Sequence, residues 1–242
     1  MKNPPQLNHR YTEKPRLLDL FCSAGGCTKG YQNAGFHVTG VDIEAQPRYV
    51  GDVFVQGDAL DYLRKHGREY DVIAASPPCQ GYSVTASLPN VNAEEYPKLV
   101  PQVREMLMAV GRPYVIENVP GAPLINPLKL NGHHFGLRVI RERWFETNPW
   151  LMTPGYIKPR NIQTHSYRAY SSFDNGATHI TVAGHNFRTA DAKVAMGIDW
   201  MNRGELAQAI PPAYTEYIGR RLMELITHPC NDQENSYNSP NS

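Results

Sequence analysis

Short apolar runs, each closed by small or polar residues, set the rhythm of the first half of the chain. Arg16–Cys22 (RLLDLFC) reads as a buried strand that ends at a glycine-rich turn. A helix is predicted over Gly26–Ala34, closed by Gly35. Phe36–Val41 is a second strand, ending in Asp42, and Val53–Gln56 is a third, before Gly57-Asp58. Ala59–His66 reads as a helix. Tyr70–Ala75 is a fourth strand, and it runs into Ser76-Pro77-Pro78-Cys79-Gln80-Gly81-Tyr82-Ser83, where two prolines impose an extended loop. Lys98–Val110 has helical spacing, and Arg112–Glu117 is a fifth strand. Strands alternating with helices predict an α/β fold with a doubly wound, mostly parallel sheet. Such sheets bind ligands at the carboxyl ends of their strands.

Beyond Gly121 the pattern loosens. Pro123–Asn131 reads as a loop and Arg141–Thr147 as a strand. Residues 148–188 are polar with weak periodicity, and Ala190–Met196 and Ala213–Ile226 read as helices. Residues 1–15 are expected to form a loose arm and 229–242 a disordered, low-complexity tail.

The 242 residues suffice for one α/β domain with a full core. The net charge of +1 gives no global field towards a polyanion. It hides a gradient, because residues 129–168 hold seven basic side chains against two acidic ones. No apolar run is long enough for a membrane span, and the polar start is not a signal peptide, so a cytoplasmic protein is expected. Cys22, Cys27, Cys79 and Cys230 lack CxxC spacing, which argues against a zinc site or a disulfide scaffold. No metal is expected.

The chemistry gathers at the predicted strand ends. Asp19–Gly26 (DLFCSAGG) is a small-residue turn between a strand and a helix, where a ligand can approach backbone closely. Asp42 is placed to bind ribose hydroxyls and Asp58 to accept from an adenine amino group, so the three together suggest an adenosine site. Cys79 leaves its strand into a proline-fixed polar loop, a setting that favours exposure. Glu117 ends a run that should be deeply buried, where packing alone does not explain a carboxylate. Arg141-Glu142-Arg143 taken alone reads as a surface strand of alternating charge.

In this order, DLFCSAGG, Asp42-Ile43, Gly57-Asp58, SPPCQGYS, Glu117-Asn118-Val119, RERWF (Arg141–Phe145) and AQAIPPAYTEYIG (Ala207–Gly219) resemble the motifs of the C5-cytosine-specific DNA methyltransferases. The compact size is similar to bacteriophage versions. The resemblance implies a Rossmann-like, S-adenosyl-L-methionine-dependent fold and transfer of a methyl group to C5 of cytosine in double-stranded DNA. It implies Cys79 as nucleophile at C6, Glu117 on N3 and the exocyclic amine, and Arg143 facing O2. Arg141 would orient Glu117 or the loop, and Asn118 would support the Cys79 loop. Phe21, Ser23, Ala24, Gly25 and Gly26 would surround the methionine part of the cofactor. Asp42, Ile43, Asp58 and Ala59 would hold its nucleoside, Pro78 would pack near the sulfonium, and Gln208 and Ile210 would complete the wall. The Pro77 carbonyl would accept from the cytosine amine. Gln80, Ser83 and Thr85 would contact the substrate from a loop that closes over a flipped base.

The implied layout is a catalytic and cofactor core at 16–147, a reduced target reader at 148–189 and C-terminal helices completing the core at 190–228. Lys158, Arg160 and Arg168 are the reader's expected DNA contacts, with short or relaxed sequence specificity. A monomer is expected, with a role such as restriction evasion. Three departures from the motifs stand out: Ser23 for a glycine, Val139 for the glutamine of the arginine motif and Gln208 for an asparagine. Ser23 and Gln208 motivate a second reading of the donor, as a modified (carboxylated) S-adenosylmethionine. The same chemistry would also serve tRNA or free cytosine nucleotides as substrate, and a non-enzymatic DNA-binding decoy is the competing reading outside catalysis.

Overall fold

The computed structural model describes residues 13–82, 97–155, 162–164, 171–184 and 186–228. Nine strands and six α-helices are assigned among them. The strands are β1 (Arg16–Leu20), β2 (His37–Asp42), β3 (Val53–Gln56), β4 (Val72–Ala75), β5 (Tyr114–Asn118), β6 (Leu128–Leu130), β7 (Val139–Ile140), β8 (Arg143–Asn148) and β9 (Ile180–Thr181). The helices are α1 (Gly26–Asn33), α2 (Ala59–His66), α3 (Val100–Val110), α4 (Thr189–Met196), α5 (Arg203–Gln208) and α6 (Pro212–Thr227).

Seven strands form one sheet in the order β3-β2-β1-β4-β5-β8-β6. β1 to β5 are parallel, and β8 runs antiparallel to both β5 and β6. The fold is therefore the doubly wound, mostly parallel α/β class, with both faces covered. Alternation along β1 shows this directly: Leu17 joins a cluster with Tyr31 and Tyr214, while Leu18 joins one with Leu63 and Leu107. On the first face α1 and α6 meet at Gly30. A Cβ there would lie 2.1 Å from Thr215 Oγ1 and 2.2 Å from the Pro212 carbonyl oxygen, so the two helices require glycine.

The expectation that Pro123–Asn131 is a loop is overturned at its end. β6 buries Leu128 and Leu130 on the first face and exposes Lys129, a three-residue alternation too short to read from the chain alone. The fifth strand extends to Asn118, one residue past its expected end. α5 is not among the expected elements, although Asn202 and Glu205 form a reciprocal capping box that is visible in the sequence. β7 and β9 pair in a second, two-stranded sheet, under a third cluster that includes Val139, Ile180, Val182, Phe187 and Met196.

One buried ion pair fixes the chain after β5. Glu146 of β8 accepts from Arg104 Nε and Nη2 at 2.7 Å each, and from the Ile125 amide at 2.8 Å. The bidentate geometry holds α3, β8 and the segment following Asn118 together.

Candidate active site

The turn between β1 and α1 is wound unusually. Phe21, Ser23 and Gly25 all have positive φ, at 59°, 45° and 87°. The Ser23 amide donates to Asp42 Oδ2 at 2.9 Å, and the Glu44 amide donates to Asp42 Oδ1 at 3.0 Å. Asp42 thus braces the turn from the end of β2 and keeps further acceptor capacity on both oxygens. At Gly26 the close approach is by the chain itself: a Cβ would lie 2.6 Å from the Ile210 carbonyl oxygen. The Ala24 carbonyl accepts from Trp200 Nε1 at 2.9 Å. Beneath the turn, Thr28 donates to the buried Asp19 at 2.6 Å, and burial pushes the Asp19 carboxyl up to about 7.

Ile43, beside Asp42, is 68% exposed, which is unusual for an isoleucine and leaves an apolar face at the sheet's edge. Asp58 is exposed and caps α2, accepting the Asp61 amide at 2.8 Å. Ala59 turns its methyl into the core, so only its backbone remains available to a ligand. Arg48 Nε reaches both oxygens of Glu205 at 2.8 and 3.0 Å, tying the loop after β2 to α5, at whose end Gln208 is exposed. Ile210 is buried beneath α1 among Cys27 and Tyr31.

At the next two strand ends, Asn118 fastens the Cys79 loop. Its Nδ2 donates to the Pro77 carbonyl at 2.9 Å, which leaves that oxygen one lone pair, and its Oδ1 accepts from the Val119 amide at 3.0 Å. Pro78 and Cys79 are half-buried, and Gln80 is exposed. Glu117 is buried, with Oε1 3.3 Å from Arg143 Nε across the β5–β8 pair. Burial raises the Glu117 carboxyl above the usual carboxylate range, against the pull of Arg143 and Arg141. Burial and the Glu117 charge raise the Cys79 thiol, while Arg143 and Arg141 oppose them. The thiol, the carboxyl and the guanidinium therefore share one electrostatic site.

Arg141 is placed differently from its expected task. Its guanidinium donates to the main-chain carbonyls of Val182 and Ala207, the latter at 2.8 Å, rather than to Glu117 or the Cys79 loop. Its own backbone donates to Asn131 Oδ1 at 3.0 Å and accepts from the Tyr214 hydroxyl at 2.7 Å. Burial lowers its pKa to about 9. It acts on Glu117 and Cys79 by charge alone. Ser83, Thr85, Lys158, Arg160 and Arg168 lie outside the described residues.

Residues 15–127 match the family model described as C-5 cytosine-specific DNA methylase. Over this stretch, just under half of the chain, the protein is similar to a C-5 cytosine-specific DNA methylase domain. Within this stretch lie the turn, Asp42, Asp58, Cys79, Glu117 and Asn118, whereas Arg141 and Arg143 follow its matched end. The chain is similar to the type II methyltransferase M1.HphI of Haemophilus parahaemolyticus, at 32% identity over 93 residues, 32% of this chain and 24% of that protein. It is also similar to the type II methyltransferase M.NgoFVII of Neisseria gonorrhoeae, at 26% identity over 127 residues, 49% of this chain and 34% of that protein. The matches thus span about a third or less of these relatives' lengths. Among solved structures, the S. pombe Dnmt2 methyltransferase superimposes with a TM-score of 0.58 at 13% identity, covering 88% of this chain and 99% of that one. The Entamoeba histolytica methyltransferase EhMeth gives 0.58 at 11%, covering 89% and 99%. At such identities these likenesses concern the fold.

The strand ends fit an adenosine-bearing methyl donor by the chemistry of their groups. Asp42 and Asp58 accept hydrogen bonds, as ribose hydroxyls and an exocyclic amine require, and Ile43 offers an apolar face. Three residues support the site in roles that the sequence does not assign to them. Ser76 lies with its hydroxyl 3.9 Å from Cys27 Sγ and holds down the Glu117 carboxyl. Trp200 and Tyr214 reach the site from the far end of the chain; Tyr214 lies within the Ala207–Gly219 motif, whereas no local pattern announces Trp200. Among the described residues, no helix is long and apolar enough to cross a membrane, and no cluster of three or more His, Cys, Asp or Glu is placed to hold a metal ion.

Proposed function

We propose that the protein transfers a methyl group from S-adenosyl-L-methionine to C5 of cytosine in double-stranded DNA. The observation that carries this reading is the convergence of Cys79, Glu117 and Arg143 at adjoining strand ends, with Arg143 3.3 Å from Glu117. Binding alone needs no thiol beside a buried carboxyl, which disfavours a decoy.

S-adenosyl-L-methionine, when bound, supplies the electrophilic methyl that C5 accepts. Asp42 would hold its ribose, Ile43 and Asp58 its adenine, and the Phe21–Gly26 turn its amino-acid part. The sulfur of Cys79 bonds to C6, which moves electron density onto C5, N3 and O2. Glu117 donates a proton towards N3; its raised pKa keeps the carboxyl protonated to higher pH than an ordinary glutamate. Arg143 faces the charge that grows on O2. After transfer the C5 proton leaves to a base, the N3 proton returns to Glu117, the C6–sulfur bond breaks and the Cys79 thiolate is released. A base stacked in a duplex cannot meet these groups, so DNA as substrate entails base flipping. Gln80, Ser83, Thr85, Lys158, Arg160 and Arg168 are the proposed DNA contacts. Ser23 has a structural occupation as the amide donor to Asp42, and Gln208 faces solvent, so neither calls for a modified donor.

Trapping on DNA containing 5-fluorocytosine tests this reading, since fluorine at C5 does not leave as a proton does. Wild type with S-adenosylmethionine should give a denaturation-resistant adduct, and Cys79→Ala none. An adduct retained in Cys79→Ala would overturn the nucleophile. An adduct on fluorinated tRNA but not on DNA would overturn the DNA substrate.

A further inference from the structure

The turn that would hold the donor is gripped from the far end of the chain. The methyl of Ala24 is fully buried, but in the third cluster, with Ile180, Val182, Ala192 and Met196, and not in either cluster of the main sheet. Its carbonyl accepts from Trp200 Nε1 at 2.9 Å. Trp200 lies on the link between α4 and α5, half-buried and packed against the same cluster. The residues on either side of Ala24, Ser23 and Gly25, are both held at positive φ, a conformation costly for serine and sustained only where its surroundings fix it. Asp42 fixes the Ser23 amide from one side, and the Trp200 indole fixes the next carbonyl from the other. Without the indole, the Ala24 carbonyl would lack its partner, and the peptide between Ala24 and Gly25 would be held only through the Gly25 amide, which donates to the Cys22 carbonyl at 3.0 Å.

We infer that Trp200 is a positioning residue of the donor site: its indole N–H sets the Ala24 carbonyl and thereby the binding geometry of the Ser23–Gly26 turn. The inference rests on the proposed function insofar as the ligand is an S-adenosyl compound. Trp200 lies beyond the bonded reach of Cys79, Glu117 and Arg143, so its effect falls on donor binding and not on the chemistry.

Titration calorimetry with S-adenosylhomocysteine on the full chain tests it. Trp200→Phe keeps an aromatic ring and removes the N–H. It should raise the Kd for S-adenosylhomocysteine about tenfold, the worth of one lost hydrogen bond to a buried carbonyl. It should raise KM for the donor in parallel and leave kcat at saturating donor within about twofold. Amide exchange in the peptide spanning residues 20–27 should quicken, with the rest of the chain unchanged. If Trp200→Phe fails to fold, incorporation of benzothienylalanine at position 200 replaces only the N–H by sulfur and should give the same loss of affinity. A folded variant that binds S-adenosylhomocysteine as wild type does, or one that loses kcat with KM unchanged, would overturn the inference. Wild type that binds no S-adenosylhomocysteine would instead overturn the donor assignment.

Discussion

The first five strands and the segment after residue 127 build the same site by different means. In the parallel half, each functional group stands where its strand stops: Asp42 at the end of β2, Cys79 just past β4 and Glu117 near the end of β5. Direction of the strand and position of the group coincide, so the parallel sheet itself assembles the row. In the second half, elements are two to six residues long apart from α4 and α6, and they reach the site through side chains that bond to distant backbone. Arg141 joins Val182 and Ala207, Trp200 joins Ala24, and Tyr214 joins Arg141. The parallel half therefore carries its chemistry on local backbone, and the second half, Arg143 apart, carries positioning by tertiary contact. Substitutions in the first half and at Arg143 should separate activity from stability, whereas those elsewhere in the second half should mix them.

The largest expected effect tests that separation at Glu117 and Arg143, whose charges act on Cys79 in opposite directions. Glu117→Gln should cut kcat about a hundredfold to a thousandfold. It also removes the negative neighbour that raises the Cys79 thiol, so the pH midpoint of Cys79 alkylation should move down and alkylation near neutrality should quicken. Arg143→Ala removes a charge that lowers the thiol, so its midpoint should move up while kcat also falls. Iodoacetamide labelling across pH, read by mass spectrometry at Cys79, measures both. Midpoints moving in the same direction in the two variants would show that the three groups do not share a field.

The next effect sets Arg141 against Arg143. Both come from one three-residue motif, and the family resemblance assigns both to the catalytic site. Arg141→Ala leaves the carbonyls of Val182 and Ala207 without their partner in a buried setting, a loss of about 2–4 kcal/mol in unfolding free energy. Arg143 is half-buried, and Arg143→Ala should cost less than about 1 kcal/mol. Denaturant unfolding of the two variants decides the matter: equal losses would erase the distinction between a strut and a site residue.

What was legible follows the same division. Strand and helix positions through Tyr114–Asn118 could be read because buried parallel strands are continuous apolar runs bounded by turns, and their ends locate Asp42, Cys79 and Glu117 without any contact being known. β6, β7 and β9 could not be read, because two or three residues carry no period. The Arg141 bonds were illegible for another reason: its acceptors are backbone carbonyls, which every residue possesses, so Val182 and Ala207 bear no mark in the sequence. Glycine misled in one respect. At Gly26 the position a side chain would take is occupied by the Ile210 carbonyl, a packing requirement that looks the same in sequence as a binding one.

The smallest effect asks whether Asp58, in the parallel half, is as purely local as the comparison holds. Its carboxylate caps α2 through the Asp61 amide at 2.8 Å, and the same exposed group is proposed to hold the adenine amine. The two tasks respond differently to substitution. Asparagine is as good a cap as aspartate, so Asp58→Asn should leave unfolding free energy unchanged, while Asp58→Ala should lose about 1 kcal/mol. If the carboxylate also accepts from the ligand, both variants should weaken S-adenosylhomocysteine binding several-fold, because the amide has lost the charge and Ala the acceptor altogether. Thermal unfolding and calorimetry on the same two proteins separate the tasks. Loss of stability in Asp58→Ala with unchanged affinity in both would leave Asp58 a helix cap alone, and the nucleoside would then be held by Asp42 and Ile43.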